Sequence, residues 1–383
     1  MSTDRPAPAE SSPASVERPP TGGASYADAG VDVVAGESAV ERIKPLARSA
    51  SRPEVLGTLG GFAGLFALRA GRYREPLLAA STDGVGTKLA VAQAADRHDT
   101  IGLDLVAMVV DDLVVCGAEP LFLQDYLAVG KVVPEKIEAI VSGIAAGCRI
   151  AGCALLGGET AEHPGVMAPE DYDVSATGVG VVEADRMLGP DRVRPGDAVL
   201  ALGSSGLHSN GYSLARRVLL EIARMPLDGH VEEFGRTLGE ELLEPTRIYA
   251  RDCLAVAAET DVRTFAHVTG GGLCANLGRV LPEGLTAVLD RTTWSPPPVF
   301  KVIAGRGRVE RDEMERTFNM GVGMVAVLPP DDVERAQAVL TARHVPSWVI
   351  GDVRRATEAP AVEGFVKAGG GGAAVLTGDH PRF

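Results

Sequence analysis

IGLDLVAMVVDDLVVCGAEPLFLQDY, residues 101–126, decides the architecture. Val106, Val110, Leu113, Val114 and Gly117 recur at i, i+4, i+7, i+8 and i+11, the spacing of one apolar helix face at about 100° per residue. The stretch therefore opens as a helix, and Gly117 and Pro120 supply the chemistry that ends it. Asp104, Met108 and Asp111 fall on the opposite face, with Asp112 on the flank. Two adjacent carboxylates in a Val/Leu/Met run are costly to bury without a cation or donors, so a metal or a metal–phosphate complex is a natural partner. A solvated helix edge is the plainer alternative. After Pro120, LFLQDYLAV reads as a strand, with Asp125 and Tyr126 near the chemistry or at its edge.

Upstream, Pro76–Thr82 is a short buried strand, and Asp83-Gly84-Val85-Gly86-Thr87-Lys88 follows as a glycine turn carrying one acid and one base. The P-loop pattern is absent, but such a turn can offer N–H groups to a polyphosphate, with Asp83 on Mg²⁺ and Lys88 on a terminal phosphate. Twenty-eight residues separate Asp83 from Asp112, enough for two elements to return side by side and grip one metal–ATP complex. Asp83 bonding its own backbone as a turn-former is the structural alternative. The run Gly57–Leu68, with Gly60 and Gly61, has few side chains to pack and suits a lid. Before it, Val40, Ile43 and Ala47 have helical spacing, which sets Lys44 near a helix end.

Downstream, Pro134 starts a helix that Gly152 ends, and CALLGGETAE reads as strand, glycine turn and acid, making Glu159 and Thr160 candidate ligands at a strand exit. Pro, Gly and charge interrupt the apolar pattern over 184–197, a domain boundary. Beyond it AVLALGSSGLHSNGYSLARRVLL runs from a buried strand through a Gly/Ser loop into a helix, a layout that suits an anion, with His208, Ser209 and Asn210 as added donors. HVTGGGLCANLGRVL repeats that logic at Thr269, Gly270 and Gly271.

A length of 383 residues suits two domains with tails. With 51 acidic against 37 basic residues the net charge is −14, a field that repels nucleic acid and anionic membrane, so phosphates must be held locally. No window approaches eighteen apolar residues and no apolar signal core opens the chain, so a soluble cytoplasmic protein is expected. Five cysteines without a C-x-x-C pattern, in Ala/Val/Leu surroundings, read as reduced core thiols. Residues 1–24 are Pro-, Ala- and Ser-rich and are expected to form a disordered extension. Residues 356–383 form an Ala/Gly-rich tail expected to be mobile.

Asp112–Pro120 reads D-x-x-x-x-G-A-x-P. With SYADAGVD at 25–32, STDGVGTKL at 81–89, GGETAE at 157–162, SSGLHSNGYSL at 204–214, LEPTRIY at 243–249, HVTGGG at 267–272 and FNMGVGM at 318–324, it resembles the aminoimidazole ribonucleotide synthetase superfamily of ATP-using enzymes. The resemblance runs from about Ser25 to about Arg355. It departs at Asp111, where Asn is expected, and at His163, where Met is expected.

The resemblance implies an α+β chain of mixed sheets packed with helices, with an ATP-binding domain over 25–185 and a substrate- and phosphate-binding domain over 186–355. It implies ATP and Mg²⁺ as cofactors, formylglycinamidine ribonucleotide as substrate, ring closure as the reaction and a homodimer as the assembly. The ATP-site residues are then Lys44, Gly60, Gly61, Asp83, Gly84, Thr87, Lys88 and Asp112, with Asp83 and Asp112 holding the metal. Glu159, Thr160, His208, Ser209, Asn210, Thr269, Gly270 and Gly271 are expected at the substrate, and Asp83, Lys88, Asp112 and His208 in catalysis. Other ATP-using members of the superfamily, of the selenophosphate synthetase, thiamine phosphate kinase or hydrogenase-maturation kind, are the alternative. A non-catalytic nucleotide-binding regulator is a second one.

Overall fold

A computed structural model describes residues 26–27, 29–57, 63–69, 71–360, 366–367 and 371–381. The expected N-terminal extension, and Gly60 and Gly61 of the expected lid, lie outside the described residues.

The helix read from the opening stretch is Ile101–Val114, and Gly117 turns the chain with φ +82° into the strand Glu119–Val129. That strand is internal to a four-stranded sheet ordered Pro76–Gly84, Tyr172–Glu183, Glu119–Val129, Ala154–Glu162. The last two strands are parallel, joined by the helix Pro134–Ala151, whose proline sits at its start and whose cap is Gly152 at φ +80°. This helix crosses Ile101–Val114 at two glycines. A Cβ on Gly102 would meet Ile144 N at 2.1 Å, and one on Gly143 would meet Asp99 O at 2.3 Å. The backbones touch there, so a methyl group at either position would drive the helices apart.

Short 3₁₀ turns at Ala184–Arg186 and Pro190–Arg192 lead into the second domain. Its sheet has seven strands, ordered Thr264–His267, Val322–Leu328, Ala198–Gly203, Ser347–Arg355, Leu285–Asp290, Ala373–Thr377 and Val366–Lys367. Alternation along Ala198–Gly203 sends Leu200 and Leu202 to the hydrophobic cluster shared with the first domain, and Val199 and Ala201 to a second cluster on the far face. The shared cluster runs from Ala39 through Val106 to Met324, so one apolar core crosses the domain boundary.

Three expectations are corrected. The C-terminal tail is not uniformly mobile: Ala373–Thr377 pairs in parallel with Leu285–Asp290, and Ala373, Ala374, Val375 and Leu376 are buried. Glu159 and Thr160 do not stand at a strand exit, because the strand runs unbroken through both to Glu162. The Ile101–Val114 helix is also not one-sided, since Asp104, Met108 and Asp111 are buried along with its apolar stripe. A second-domain helix, Ala250–Glu259, packs against it from outside the sheet. The five cysteines are free thiols and four of them are buried, as their surroundings suggested. No described helix is long and apolar enough to cross a membrane.

Candidate active site between the domains

The end of the Ile101–Val114 helix, the outer strand Pro76–Gly84, the strand Thr264–His267 and the helix Gly272–Arg279 enclose a cleft of about 370 Å³. Ser81, Asp112, His267, Asn276 and Arg279 contribute its polar lining. Asp112 is 45% exposed and its Oδ1 lies 2.9 Å from Nδ1 of the buried His267. Burial opposes a charge on His267, but the hydrogen bond to Asp112 and the carboxylates of Asp111, Asp112 and Asp83 outweigh it and raise its pKa above the ordinary range. Asp83 belongs to the same electrostatic neighbourhood. Burial pushes its pKa up, the Gly84 N–H donating at 2.7 Å opposes this, and the charge of Asp112 adds to the rise. The structure thus gathers Asp83 and Asp112, expected together, and adds His267, which the sequence reading passed over. Its only signal was its place at the head of the HVTGGG block.

Asp111 does not join them. Its Oδ1 accepts the Tyr249 N–H at 2.9 Å while Oδ2 is buried without a hydrogen-bond partner. Burial pushes its carboxyl from an ordinary 3.8 up to about 8, against the opposing influence of His267. An acid whose folded value lies above its unfolded value is unpenalised below about pH 4 and costs increasing stability as pH rises towards 8. Asp111→Asn should therefore raise the melting temperature at pH 7–8 and leave it unchanged near pH 4. The new amide N–H₂ has no partner at Oδ2, which offsets part of the gain, leaving about 1–2 kcal/mol. Thermal scans at the two pH values check this.

Lys88 is turned away from the cleft. Its side chain is wholly buried, and Nζ donates to Asp104 Oδ1 at 2.8 Å, His208 O at 3.2 Å and Glu244 O at 2.6 Å. An ammonium has three N–H donors, and three acceptors take them, so the expected phosphate contact is replaced by a strut between the domains. Gly84 ends its strand beside Asp83, and Thr87 Oγ1 lies 3.0 Å from Ser213 Oγ. Lys44 pairs with Glu41 at 2.5 Å on the helix Val33–Ser49.

His208 is also inward. It is buried, adopts φ +64°, and its Nε2 accepts the Ser205 N–H at 3.1 Å. Burial first, and then the charges of His267 and Lys88, hold its pKa well below the usual range, so it neither carries a charge to a phosphate nor titrates near neutrality. Asn tolerates left-handed backbone well, which makes His208→Asn a clean removal of the ring. That variant should lose about 1–3 kcal/mol of stability with kcat and KM nearly unchanged, as thermal melting and steady-state kinetics would measure.

The two glycine loops of the second domain do meet. A Cβ on Gly270 would lie 3.7 Å from Asn210 Nδ2, placing the Ser209-Asn210 end of one loop against the other. Ser209 Oγ contacts Thr246 Oγ1 at 3.1 Å. Asn276 Nδ2 holds the second loop by donating to the carbonyls of Thr269, Gly270 and Gly272, and Gly271 takes φ +95° to make the turn. Buried Asn319 does the same for the first loop through Gly206 O and Leu207 O.

Glu159 and Thr160 are not brought to Asp83. They lie on the opposite edge strand, three strand spacings or roughly 14 Å across the sheet. There they border a second cavity, under the helix Val33–Ser49.

The mixed-sheet pair of domains is that of an AIR synthase related protein. The family's N-terminal domain matches residues 68–182 and its C-terminal domain residues 194–361. The chain is 56% identical over 330 residues to the phosphoribosylformylglycinamidine cyclo-ligase of Anaeromyxobacter dehalogenans, covering 86% of this chain and 95% of that one. To the Myxococcus xanthus cyclo-ligase it is 53% identical over 331 residues, covering 86% and 96%. The chain belongs to the phosphoribosylformylglycinamidine cyclo-ligase family. Among solved structures it is similar to thiamine-monophosphate kinase from Stenotrophomonas maltophilia, with TM-score 0.61, 21% identity and 89% and 96% of the two chains covered. It is also similar to hydrogenase maturation protein HypE in complex with ATP, with TM-score 0.58, 22% identity and coverage of 89% and 96%. At these identities the likeness concerns the fold.

Proposed function

We propose that this chain closes the imidazole ring of formylglycinamidine ribonucleotide, consuming ATP and giving aminoimidazole ribonucleotide, ADP and phosphate, a step of purine biosynthesis in the cytoplasm. The observation that carries the reading is 56% identity to a cyclo-ligase across both domains. The chemistry suits the cleft. An amide oxygen leaves poorly, so its phosphorylation by ATP creates an iminophosphate that the amidine nitrogen attacks, expelling phosphate. The protein's share of such a reaction is positioning and neutralisation of charge.

Asp83 and Asp112 are assigned to Mg²⁺. Magnesium takes one or two carboxylates and fills its shell with phosphate oxygens and water, a demand that two carboxylates can meet. Burial is the main cause of the upward shift of Asp83 and the charge of Asp112 adds to it, a cost that a cation would relieve. His267 Nε2 is buried without a hydrogen-bond partner; in the charged imidazolium, which the raised pKa favours, Nδ1–H donates to Asp112 and Nε2–H is left to donate to a phosphoryl oxygen. Magnesium supplies charge neutralisation for the transferring phosphoryl group. The loops holding Ser209, Asn210, Thr269, Gly270 and Gly271 are assigned to the phosphoribosyl group. Lys88 and His208 hold those loops and the domain junction in place.

A homodimer through the four-stranded sheet fits its outer face, where Leu78 is 62% exposed and Tyr126 39%. Purified protein given ATP, Mg²⁺ and formylglycinamidine ribonucleotide as the only acceptor should release ADP in step with aminoimidazole ribonucleotide. ATP turnover with thiamine phosphate or selenide and none with this substrate would overturn the assignment.

A further inference from the structure

Both glycine loops of the second domain rest on one small buried cluster that takes no part in the chemistry assigned above. The first loop, residues 204–210, is bound to the turn that opens the strand Val322–Leu328. Asn319 holds two of its carbonyls, and the Ser204 N–H donates to Gly321 O at 2.9 Å. Met320 takes φ +50° in that turn and Gly321 φ +96°. Left-handed backbone at a residue with a side chain persists only where neighbours hold it. The Trp294 indole N–H supplies that hold, donating to Met320 O at 3.0 Å.

Trp294 is placed in turn by the end of the chain. The buried ring of His380 stands edge-on to the indole, with centroids 4.6 Å apart, and its Nδ1–H is shared between the carbonyls of Arg291 and Trp294 at 3.2 and 3.3 Å. Arg291, buried as well, donates from Nη1 to Gly378 O at 3.2 Å and from Nε and Nη2 to the two carboxylate oxygens of Glu315 at 2.6 and 2.8 Å. The backbone of Glu315 is what the second loop touches. A Cβ on Gly272, where that loop enters its helix, would come within 1.8 Å of Glu315 O, so only glycine closes the loop there. Residues 378–380 thus reach the first loop through Trp294 and the second through Arg291 and Glu315. They lie past residue 361, where the match to the family's C-terminal domain ends.

We infer that Trp294 and His380 are positioning residues of a C-terminal latch, which acts through the two loops rather than by contact with substrate and sets the spacing at which they grip the phosphoribosyl group. The inference rests on the assignment of those loops made above. Directional donors specify one arrangement of the carbonyls they hold, which apolar packing alone would not. Loops held at a fixed spacing bind a phosphate without an ordering cost, so loosening them weakens the hold on the phosphoribosyl substrate and leaves ATP binding as it was.

Steady-state kinetics on the full chain test this with Trp294→Phe, which deletes the indole N–H and keeps a ring, and with His380→Ala. Each should raise KM for formylglycinamidine ribonucleotide about twofold to tenfold, the range of one lost hydrogen bond, with kcat and KM for ATP close to wild type. His380→Asn, whose amide can donate from the place of Nδ1–H, should restore most of the affinity. Because the two residues act in series, the double variant should be no weaker than the worse single one. Melting curves establish that each variant is folded, and Trp294→Phe is conservative enough to fold where His380→Ala does not. An unchanged KM for formylglycinamidine ribonucleotide in the folded variants would overturn the inference and leave the cluster as packing, as would an equal rise in KM for ATP. Absence of turnover by the wild type itself would overturn the reading of the reaction as well, which separates the two failures.

Discussion

Replacing Lys88 by Met is expected to destabilise the folded protein by about 3–5 kcal/mol. The substitution nearly preserves volume but leaves Asp104 as an uncompensated carboxylate with no solvent exposure. Burial already raises the Asp104 carboxyl and lowers the Lys88 ammonium, each opposed by the other's charge, so removing one partner removes what holds the other ionised. Asp104 Oδ1 would keep the Thr246 N–H at 2.8 Å and the Thr246 hydroxyl at 2.6 Å, which moderates the loss. The carbonyls of His208 and Glu244 would lose their shared donor, so the domain junction should loosen with the pair. A fall in melting temperature of roughly 10 °C is expected, with Lys88→Met/Asp104→Leu recovering part of it. A variant that melts like wild type but has lost ATP affinity would instead return Lys88 to the nucleotide.

The case of Lys88 marks where a sequence stops being informative. DGVGTK carries an acid and a base five residues apart, and local chemistry makes both candidates for a metal–phosphate complex. What separates them is partners distant in the chain: Asp112 and His267 face Asp83, while Asp104, His208 and Glu244 enclose Lys88. Periodicity found the Ile101–Val114 helix because the 3.6-residue repeat is local. It could not show that the opposite face is also buried, since that depends on Ala250–Glu259, more than a hundred residues away. Asp111 was accordingly paired with Asp112, although a helix turns about 100° between neighbours and carries one carboxyl to the Tyr249 amide and the other to the cleft.

Glycine-rich stretches were the other limit. AGGGGAAVLTGDH has too few side chains to display an alternation, yet AAVLT is a buried strand because Leu285–Asp290 offers a parallel partner. GGE within CALLGGETAE looked like a turn for the same reason. Its glycines instead lie within a strand, where Gly158 makes room for the Asp125 carboxyl. Blocks rich in His, Asn and Ser were legible as loops of the second domain, but their side chains are spent partly on the loops themselves, as His208 and Asn319 demonstrate.

Asp112→Asn separates chemistry from scaffold most cleanly and should lower turnover at least about tenfold, the range in which single preorganised electrostatic groups act. The side chain is 45% exposed and packs no core, so the melting temperature should stay close to that of wild type. Asn retains an oxygen that can accept from His267 Nδ1–H, so the ring need not reorient. What disappears is the negative charge, and with it the hydrogen-bonded carboxylate that raises the pKa of His267 and one of the charges that raises that of Asp83. The loss should therefore appear in the magnesium dependence, with more Mg²⁺ needed for half-maximal rate. Asp83→Asn should behave likewise. Because both side chains are assigned to one ion, the double variant should lose much less than the product of the two single losses. Independent, multiplying losses, or an unchanged magnesium requirement in both variants, would show that Asp83 and Asp112 do not share a metal.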